Sequence, residues 1–85
     1  MVNAIDQGWY VILVRREGRH DFTYYTERDN LRDAIAAART WLIGQAVPCA
    51  AKIIDLRKPL DSPCEWLSMA QRGERAMVRR EEVVA

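Results

Sequence analysis

Cysteine is scarce in this chain of 85 residues, which contains only Cys49 and Cys64. A secreted scaffold of this size that depends on disulfides normally carries four or more cysteines. We therefore expect both thiols to be reduced and buried, where a free cysteine packs as a small apolar side chain. A disulfide between the two is the alternative if the protein meets an oxidising compartment.

Long apolar runs are also missing, since no stretch of the sequence approaches the roughly 20 residues that a membrane span needs. Residues 1–7 lack a basic segment followed by an apolar one, so they are not typical of a signal peptide. Both absences predict a soluble, cytoplasmic protein with no membrane partner. The length suits a single domain over residues 1–85, with residues 1–7 and 80–85 expected to fray.

Glycine and histidine are too dispersed or too few for several kinds of site. The four glycines are scattered along the chain, which excludes a glycine-rich phosphate-binding loop. The single histidine, His20, has no ligand-like spacing with Cys49 or Cys64, and a zinc site needs three or four such ligands. We therefore expect neither a metal nor a cofactor.

An excess of charge of one sign is absent as well. Thirteen basic residues accompany twelve acidic ones, which gives a net charge of +1. So small a net charge argues against a dedicated polyanion binder with a strong electric field. Arginine supplies all but two of the basic residues, and it forms bidentate contacts that lysine cannot form.

The first clear structural signal is a strand over residues 9–16, which are aromatic and β-branched. Alternate side chains of a strand point to opposite faces, and here Trp9, Val11 and Leu13 share one face while Tyr10, Ile12 and Val14 share the other. Both faces are apolar. This pattern is typical of a strand that lies inside its sheet and is covered on both sides.

The first strand continues into a β-hairpin. Glu17-Gly18 is typical of a turn, and residues 20–26 form the returning strand. Two registers stay open. A two-residue turn places Leu13 opposite Phe22, whereas a three-residue turn with a bulge places Ile12 opposite Phe22.

A helix follows over residues 31–43. Asn30 is a good N-cap, and Asp33 three residues later forms a short version of the capping box. Gly44 and Pro48 favour an end to the helix. One apolar stripe runs along it, made of Leu31, Ala34, Ile35, Ala38, Trp41 and Leu42.

Residues 49–56 form a third strand. Lys52 and Asp55 make this strand less apolar than the first, so we expect it at an edge of the sheet. A compact arrangement places it beside the first strand. The predicted order of the sheet is then 2-1-3.

The C-terminal third carries weaker signals. Ser62–Glu65 combines an N-cap residue, proline at the first helical position and glutamate at the third, so we expect a helix over residues 63–71. Gly73 interrupts it, and residues 75–84 could continue the helix, pair as a strand or fray. The predicted fold class is α+β: a small single domain with a β-β-α-β core, in which one helix packs across a three-stranded, mainly antiparallel sheet, plus a C-terminal helical or mixed segment.

The strongest candidate for catalysis is a nucleophile pair of His20 with Cys49 or Cys64. His20 is expected at the hairpin tip and Cys49 on an edge strand beside small residues, so neither position favours such a pair. A domain of this size also rarely forms a cleft that excludes water from a substrate. We therefore expect no enzymatic activity.

The residue types that anchor interfaces are better represented. Aromatic and arginine side chains dominate binding hot spots, and an uncovered apolar sheet face on a small domain is usually an interface. The sequence favours a small non-catalytic protein-binding module that uses its sheet and hairpin tip. The candidate partner-binding residues are Tyr10, Arg15, Arg16, Arg19, His20 and Tyr25.

A nucleic-acid-binding domain with an arginine-rich β-hairpin tip is the alternative. Such a tip can enter a groove, and aromatic rings beside arginines can stack on bases. Glu17 and Asp21 lie in the same segment and cancel part of its positive charge, so this alternative ranks second. A homodimer is a further arrangement, formed by pairing of edge strands or by mutual covering of a sheet face.

In size and layout, the chain resembles the short accessory proteins of phages and other mobile elements. Many of these bind a host protein and block it. The resemblance therefore implies an inhibitor that acts by steric occlusion of a partner surface.

Overall fold

The computed structural model describes residues 9–72 and 75–84, and at residues 71, 72, 75 and 76 the backbone alone. Within these residues, one helix and five strands follow each other in the order β-β-α-β-β-β. The elements are β1 (Tyr10–Arg16), β2 (Thr23–Arg28), α1 (Leu31–Ile43), β3 (Cys49–Asp55), β4 (Pro63–Arg72) and β5 (Arg75–Val84). The α+β class is therefore confirmed.

All five strands form one antiparallel sheet in the order β2-β1-β3-β4-β5. The predicted order 2-1-3 is present within it, and β1 lies inside the sheet as its apolar pattern predicts. The cover predicted on both sides of β1 is wrong, because the described C-terminal residues extend the sheet and leave its second face open. The predicted three-stranded sheet is wrong, because two further strands extend the sheet beyond β3. The edge position predicted for β3 is wrong for the same reason, since β3 lies between β1 and β4.

Residues 63–71, predicted to form a helix, lie in β4 instead. Their side chains alternate: Leu67 and Met69 are buried in the core that α1 covers, while Trp66 and Ser68 lie on the other side of the sheet. The helix-start signal at Ser62 and the proline after it is a local preference. Pairing with β3 buries apolar surface from both strands, and this tertiary term overrides the local preference.

Of the three states that the sequence allows for residues 75–84, the strand is correct. Residues 76–78 lie opposite residues 69–71 of β4. The interruption predicted at Gly73 and the fraying predicted for residues 1–7 both fall outside the described part of the chain.

Neither register predicted for the β1–β2 hairpin is correct. Leu13 lies opposite Tyr24, not Phe22, and Ile12 lies opposite Thr26. The cause is the connection between the strands, which has six residues, numbers 17–22, in place of two or three. The longer connection moves the pairing toward the C-terminal end of β2.

The connection opens with a tight turn, in which the Arg19 amide donates a hydrogen bond to the Arg16 carbonyl at 3.1 Å. Gly18 in this turn has φ of +84°, a conformation that residues with a Cβ rarely adopt. Farther along, the register of β2 shifts by one residue, which leaves Tyr25 as a bulge without a partner in β1. The bulge places Tyr25 on the side of the sheet that carries α1, beside Trp41.

The helix is confirmed over Leu31–Ile43. The side-chain oxygen of Asn30 accepts a hydrogen bond from the Asp33 amide at 2.8 Å, as the N-cap prediction requires. Ala34, Ala38 and Leu42 of the predicted apolar stripe are fully buried. Among the described residues, no helix is both long and apolar enough to cross a membrane.

The hydrophobic core lies between α1 and one face of the sheet, which we call the helix face. Two small side chains, Ala34 and Ala38, let the helix approach the strands closely. The buried core residues are Ile12, Val14, Ala34, Ala38, Leu42, Cys49, Ala51, Ile53, Leu67 and Met69.

Candidate functional site

The other face of the sheet, which we call the open face, has no second layer of structure over it among the described residues. It carries Val11, Leu13, Arg15, Phe22, Tyr24, Lys52, Ile54, Trp66 and Ser68. Most of these side chains are half-buried, and Tyr24 is 61% exposed. An apolar and aromatic face of this kind makes the open face the candidate interaction surface of the domain.

Two aromatic rings and two cations form a cluster on the open face, which we call the aromatic–cation cluster. The rings of Phe22 and Trp66 meet edge to face, with their centroids 5.1 Å apart. The Arg15 guanidinium lies 4.7 Å from the centre of the Phe22 ring and 5.9 Å from that of Trp66, and the Lys52 ammonium lies 4.8 Å from that of Phe22. All three distances are within the range of cation–π attraction.

The cluster is built by cross-strand pairing and by the hairpin connection. Leu13, Lys52 and Trp66 lie opposite one another in β1, β3 and β4, so they form one row across the open face. Phe22 belongs to the connection between β1 and β2, yet its ring reaches Trp66 of β4. The connection therefore folds over the end of the open face and covers part of it.

A concavity of about 530 Å³ lies at the hairpin tip beside this cluster. We call it the arginine pocket, and it is lined by Val14, Arg15, Arg16, Gly18, Arg19, His20, Asp21 and Thr23. Three arginines thus share the pocket with one carboxylate. Within the described part of the chain, no ion pair or side-chain hydrogen bond uses the arginines or the histidine of the pocket.

Four of the six predicted partner-binding residues lie together. Arg15, Arg16, Arg19 and His20 all line the arginine pocket, although Arg15 and Arg16 belong to opposite faces of β1. Arg15 stacks in the aromatic–cation cluster. Arg16 lies on the helix side, 5.4 Å from the centre of the Trp41 ring.

The two predicted tyrosines lie elsewhere. Tyr25 packs against Trp41 on the helix side, with ring centroids 5.9 Å apart. Tyr10 lies at the far end of β1, where its hydroxyl accepts a hydrogen bond from Arg57 at 2.5 Å. The same guanidinium stacks on Trp9 and bonds the Asp55 carboxylate at 3.1 Å. Tyr10 is thus part of a structural contact at the opposite end of the sheet from the pocket.

The contacts around Arg57 also set the ionisation of Asp55. Partial burial raises the pKa of this carboxyl, but hydrogen bonds from the side chain and backbone of Arg57 lower it, and the net direction is downward. Asp55 is therefore held as a carboxylate that anchors the loop after β3.

Sequence reasoning missed Phe22, Lys52 and Trp66 as members of the candidate site. The predicted C-terminal helix includes Trp66, and the predicted edge strand includes Lys52. The alternation of large Leu67 and Met69 with small Ser68 and Ala70 is the signal that could have indicated a strand, with Trp66 on the same face as Ser68. No signal in the sequence around Phe22 predicts its contact with Trp66.

The two thiols lie outside the aromatic–cation cluster, Cys49 in the core beneath α1 and Cys64 in β4 on the same side of the sheet as Trp66. Both Cys49 and Cys64 are free and buried, as the sequence predicts. The Cys49 thiol donates a hydrogen bond to the Val47 carbonyl at 3.2 Å. Burial raises the pKa of the Cys64 thiol, Lys52 opposes that rise, and Glu65 adds to it.

We expect Cys64 to react slowly with iodoacetamide in the folded protein. The thiolate is the reactive form, and a raised pKa lowers its population at neutral pH. Mass spectrometry should show labelling of Cys64 roughly 10-fold or more slower than in urea-unfolded protein, because burial adds to the effect of the pKa. Labelling of the folded protein at the rate of a free thiol would contradict this expectation.

Comparison with protein-family models, with curated proteins and with solved structures finds no match for this chain.

Proposed function

We propose that the protein is a non-catalytic protein-binding module that docks its partner on the open face of the sheet. The observation that carries this proposal is the aromatic–cation cluster on a face without a covering layer in the described residues. Aromatic and arginine side chains are the types that contribute most to protein interfaces. Their mutual stacking fixes them before binding, so little conformational entropy is lost when a partner arrives.

The packing of the rings favours a protein over a single-stranded nucleic acid. Proteins that bind single strands offer free aromatic faces on which bases stack. Here Phe22 already has Arg15, Lys52 and Trp66 packed around it, so stacking a base would require displacing one of them. The net charge of +1 also provides little of the general attraction that binding to phosphates requires.

A second copy of the chain fits this surface poorly. Stacking two open faces would bring Arg15 and Lys52 of both copies into one interface, where like charges repel. Symmetric pairing of the β5 edges also has an obstacle. A two-fold axis centred on Arg79, Arg80, Glu81 or Glu82 places two identical charges opposite each other.

The mechanism we propose is steric occlusion. The open face belongs to a five-stranded sheet that packs against α1 through a hydrophobic core, so it is a rigid surface and not a flexible loop. Such a surface covers part of a partner without changing shape. Whatever the partner normally binds at the covered part is then excluded.

Capture of a partner by surface variants tests the proposal. The immobilised protein is incubated with a lysate of its native cells, and bound proteins are compared with those bound by Arg15→Glu. Arg39→Glu is the matched control, because it makes the same charge reversal at an exposed position of α1. We expect one protein to bind the parent and the control but to lose about 10-fold or more of its binding to Arg15→Glu.

A second variant tests whether binding can be weakened while the fold stays unchanged. Tyr24→Ala removes an exposed side chain of the open face, so its circular dichroism and thermal midpoint should match those of the parent. The captured protein, once purified, should bind Tyr24→Ala more weakly than the parent. If Arg15→Glu and Tyr24→Ala both bind it as the parent does, the open face is not the docking surface.

A further inference from the structure

We infer that the arginine pocket receives an acidic segment of the partner protein, with carboxylate side chains entering between Arg15, Arg16 and Arg19. This inference rests on the proposed function and specifies the chemistry of the partner. It assigns a role to the pocket at the hairpin tip, whereas the open face provides the rest of the docking area.

The first argument is how the pocket holds its arginines. Arg15 stacks on Phe22 on the open face, and Arg16 stacks on Trp41 on the helix side, so the two guanidinium groups are held from opposite sides of β1. Stacking uses the flat face of a guanidinium and leaves its N–H groups free at the edge. Those edges are the groups that bind a carboxylate in bidentate fashion.

The second argument is that these donors have no acceptor within the described part of the chain. The ion pairs there join Arg57 to Asp55, Arg79 to Glu81 and Arg80 to Glu65. Asp21 lines the pocket, yet it forms no ion pair with any of its arginines. The pocket therefore combines two held guanidinium groups, those of Arg15 and Arg16, with a net positive charge, and an anion from outside provides the missing acceptors.

The third argument is the size of the arginine pocket and its position beside the open face. A concavity of about 530 Å³ is large enough for two or three side chains and lies directly beside the open face. A second groove of about 320 Å³ continues from it past Arg15 and Glu17 to Trp66 and Ser68 on the open face. One segment of a partner can thus enter the pocket and run onto the aromatic–cation cluster.

A polypeptide suits this path better than a nucleic acid. Glu17 lines the groove and Asp21 lines the pocket, so carboxylates alternate with the arginines along the path. A backbone with a phosphate on every nucleotide would meet both carboxylates and be repelled by them. A peptide can place acidic side chains beside arginines and neutral ones beside Glu17 and Asp21.

Binding of a defined probe tests the inference directly. A fluorescein-labelled hexaglutamate peptide is titrated with the protein at low salt, and its fluorescence anisotropy is recorded. We expect the double variant Arg16→Gln with Arg19→Gln to weaken binding by about 10-fold, because each lost charge-assisted contact contributes to the affinity. The control is Arg32→Gln with Arg39→Gln, which removes the same charge from exposed positions of α1 and should change binding less than about 2-fold.

Two further measurements complete the experiment. Amide chemical shifts should change at Gly18 and Arg19 on addition of the peptide, which locates it in the pocket. If the double variant is less stable than the parent, Arg19→Gln alone is titrated in its place, because Arg19 is exposed in the connection and its substitution should not affect folding. An oligothymidylate of the same charge, titrated in parallel, should bind more weakly than the peptide.

The outcomes separate this inference from the proposed function. If the peptide fails to bind, or binds the double variant as well as the control, the inference is wrong. A partner that is captured by the parent and binds Tyr24→Ala more weakly would still support the open face as a docking surface, because Tyr24 lies on that face and does not line the pocket. If the oligothymidylate binds more tightly and depends on Arg16 and Arg19, a nucleic acid is the ligand, and both the inference and the protein-binding proposal are overturned.

Discussion

Met69→Asp is expected to unfold the protein at neutral pH. Met69 is 2% exposed and lies in the core between the sheet and α1. A carboxylate introduced there has no cationic partner, and an uncompensated buried charge costs about 3–5 kcal/mol. That cost is comparable to the whole stability of a domain, which is about 5–15 kcal/mol.

Ala70→Asp is the matched control for this change. Ala70 is the next residue of β4, but it is exposed and lies on the open face of the sheet. We expect this variant to keep the circular dichroism and the cooperative thermal transition of the parent. The damage from Met69→Asp should lessen in mild acid, because burial raises the pKa of the introduced carboxyl and protonation removes its charge.

The two variants together test whether these residues form strand β4 and not the helix predicted from the sequence. In a strand, adjacent residues point to opposite faces and must differ in their tolerance of a charge. Equal tolerance of aspartate at Met69 and Ala70 would contradict the pairing of β4 with β3.

Ile53→Ala is expected to lower the free energy of unfolding by about 2–5 kcal/mol. Ile53 is 2% exposed in β3 and faces Ile12 of β1 beneath the helix. Truncation removes buried methyl groups and leaves a cavity that the surrounding strands cannot fill. Urea denaturation at neutral pH measures the change, with an unchanged slope as the sign that the folded state keeps its compactness.

Ile54→Ala makes the same chemical change one residue along. Ile54 lies on the open face and is only partly buried, so its truncation transfers less surface to water and leaves no enclosed cavity. We expect a smaller loss of stability than for Ile53→Ala. A loss as large as that of Ile53→Ala would show that a second layer covers the open face in solution.

The parts of the fold that follow from the sequence are those determined by neighbouring residues. The N-cap at Asn30 and the apolar stripe of α1 depend on contacts within one or two helical turns, and both are confirmed. The internal position of β1 also follows from its two apolar faces. The cover predicted for both faces does not, because only the helix face carries a second layer among the described residues.

The C-terminal strands could not be derived in the same way. Ser62 and Pro63 match the start of a helix as well as many true helices do. What decides between helix and strand is the row formed with β3, in which Leu67 lies opposite Ala51 and Met69 opposite Cys49. These β3 residues are distant from β4 in the sequence, so the local helix preference of residues 62–65 carries no information about them.

The candidate site also has a part that follows from local sequence and a part that does not. The arginines at positions 15, 16 and 19 are close together in the sequence, so their grouping at the hairpin tip could be predicted. The contact between Phe22 and Trp66 joins two residues from different hairpins and follows only from the completed sheet. Tyr10 is predicted as part of an uncovered sheet face and Tyr25 as a neighbour of the hairpin tip, but the structure places both away from the pocket.

The pairing of β1 with β3 has a kinetic consequence. The β1–β2 and β4–β5 hairpins each join neighbouring segments, whereas Tyr10 and Asp55, at one end of the β1–β3 ladder, lie far apart along the chain. Contacts between distant segments form late, because the intervening chain must first be ordered. The aromatic–cation cluster takes Arg15 and Phe22 from one hairpin and Trp66 from the other, so it cannot form during synthesis until β4 has emerged from the ribosome. Docking on the open face, as proposed, therefore has to follow the pairing of β3 with β4.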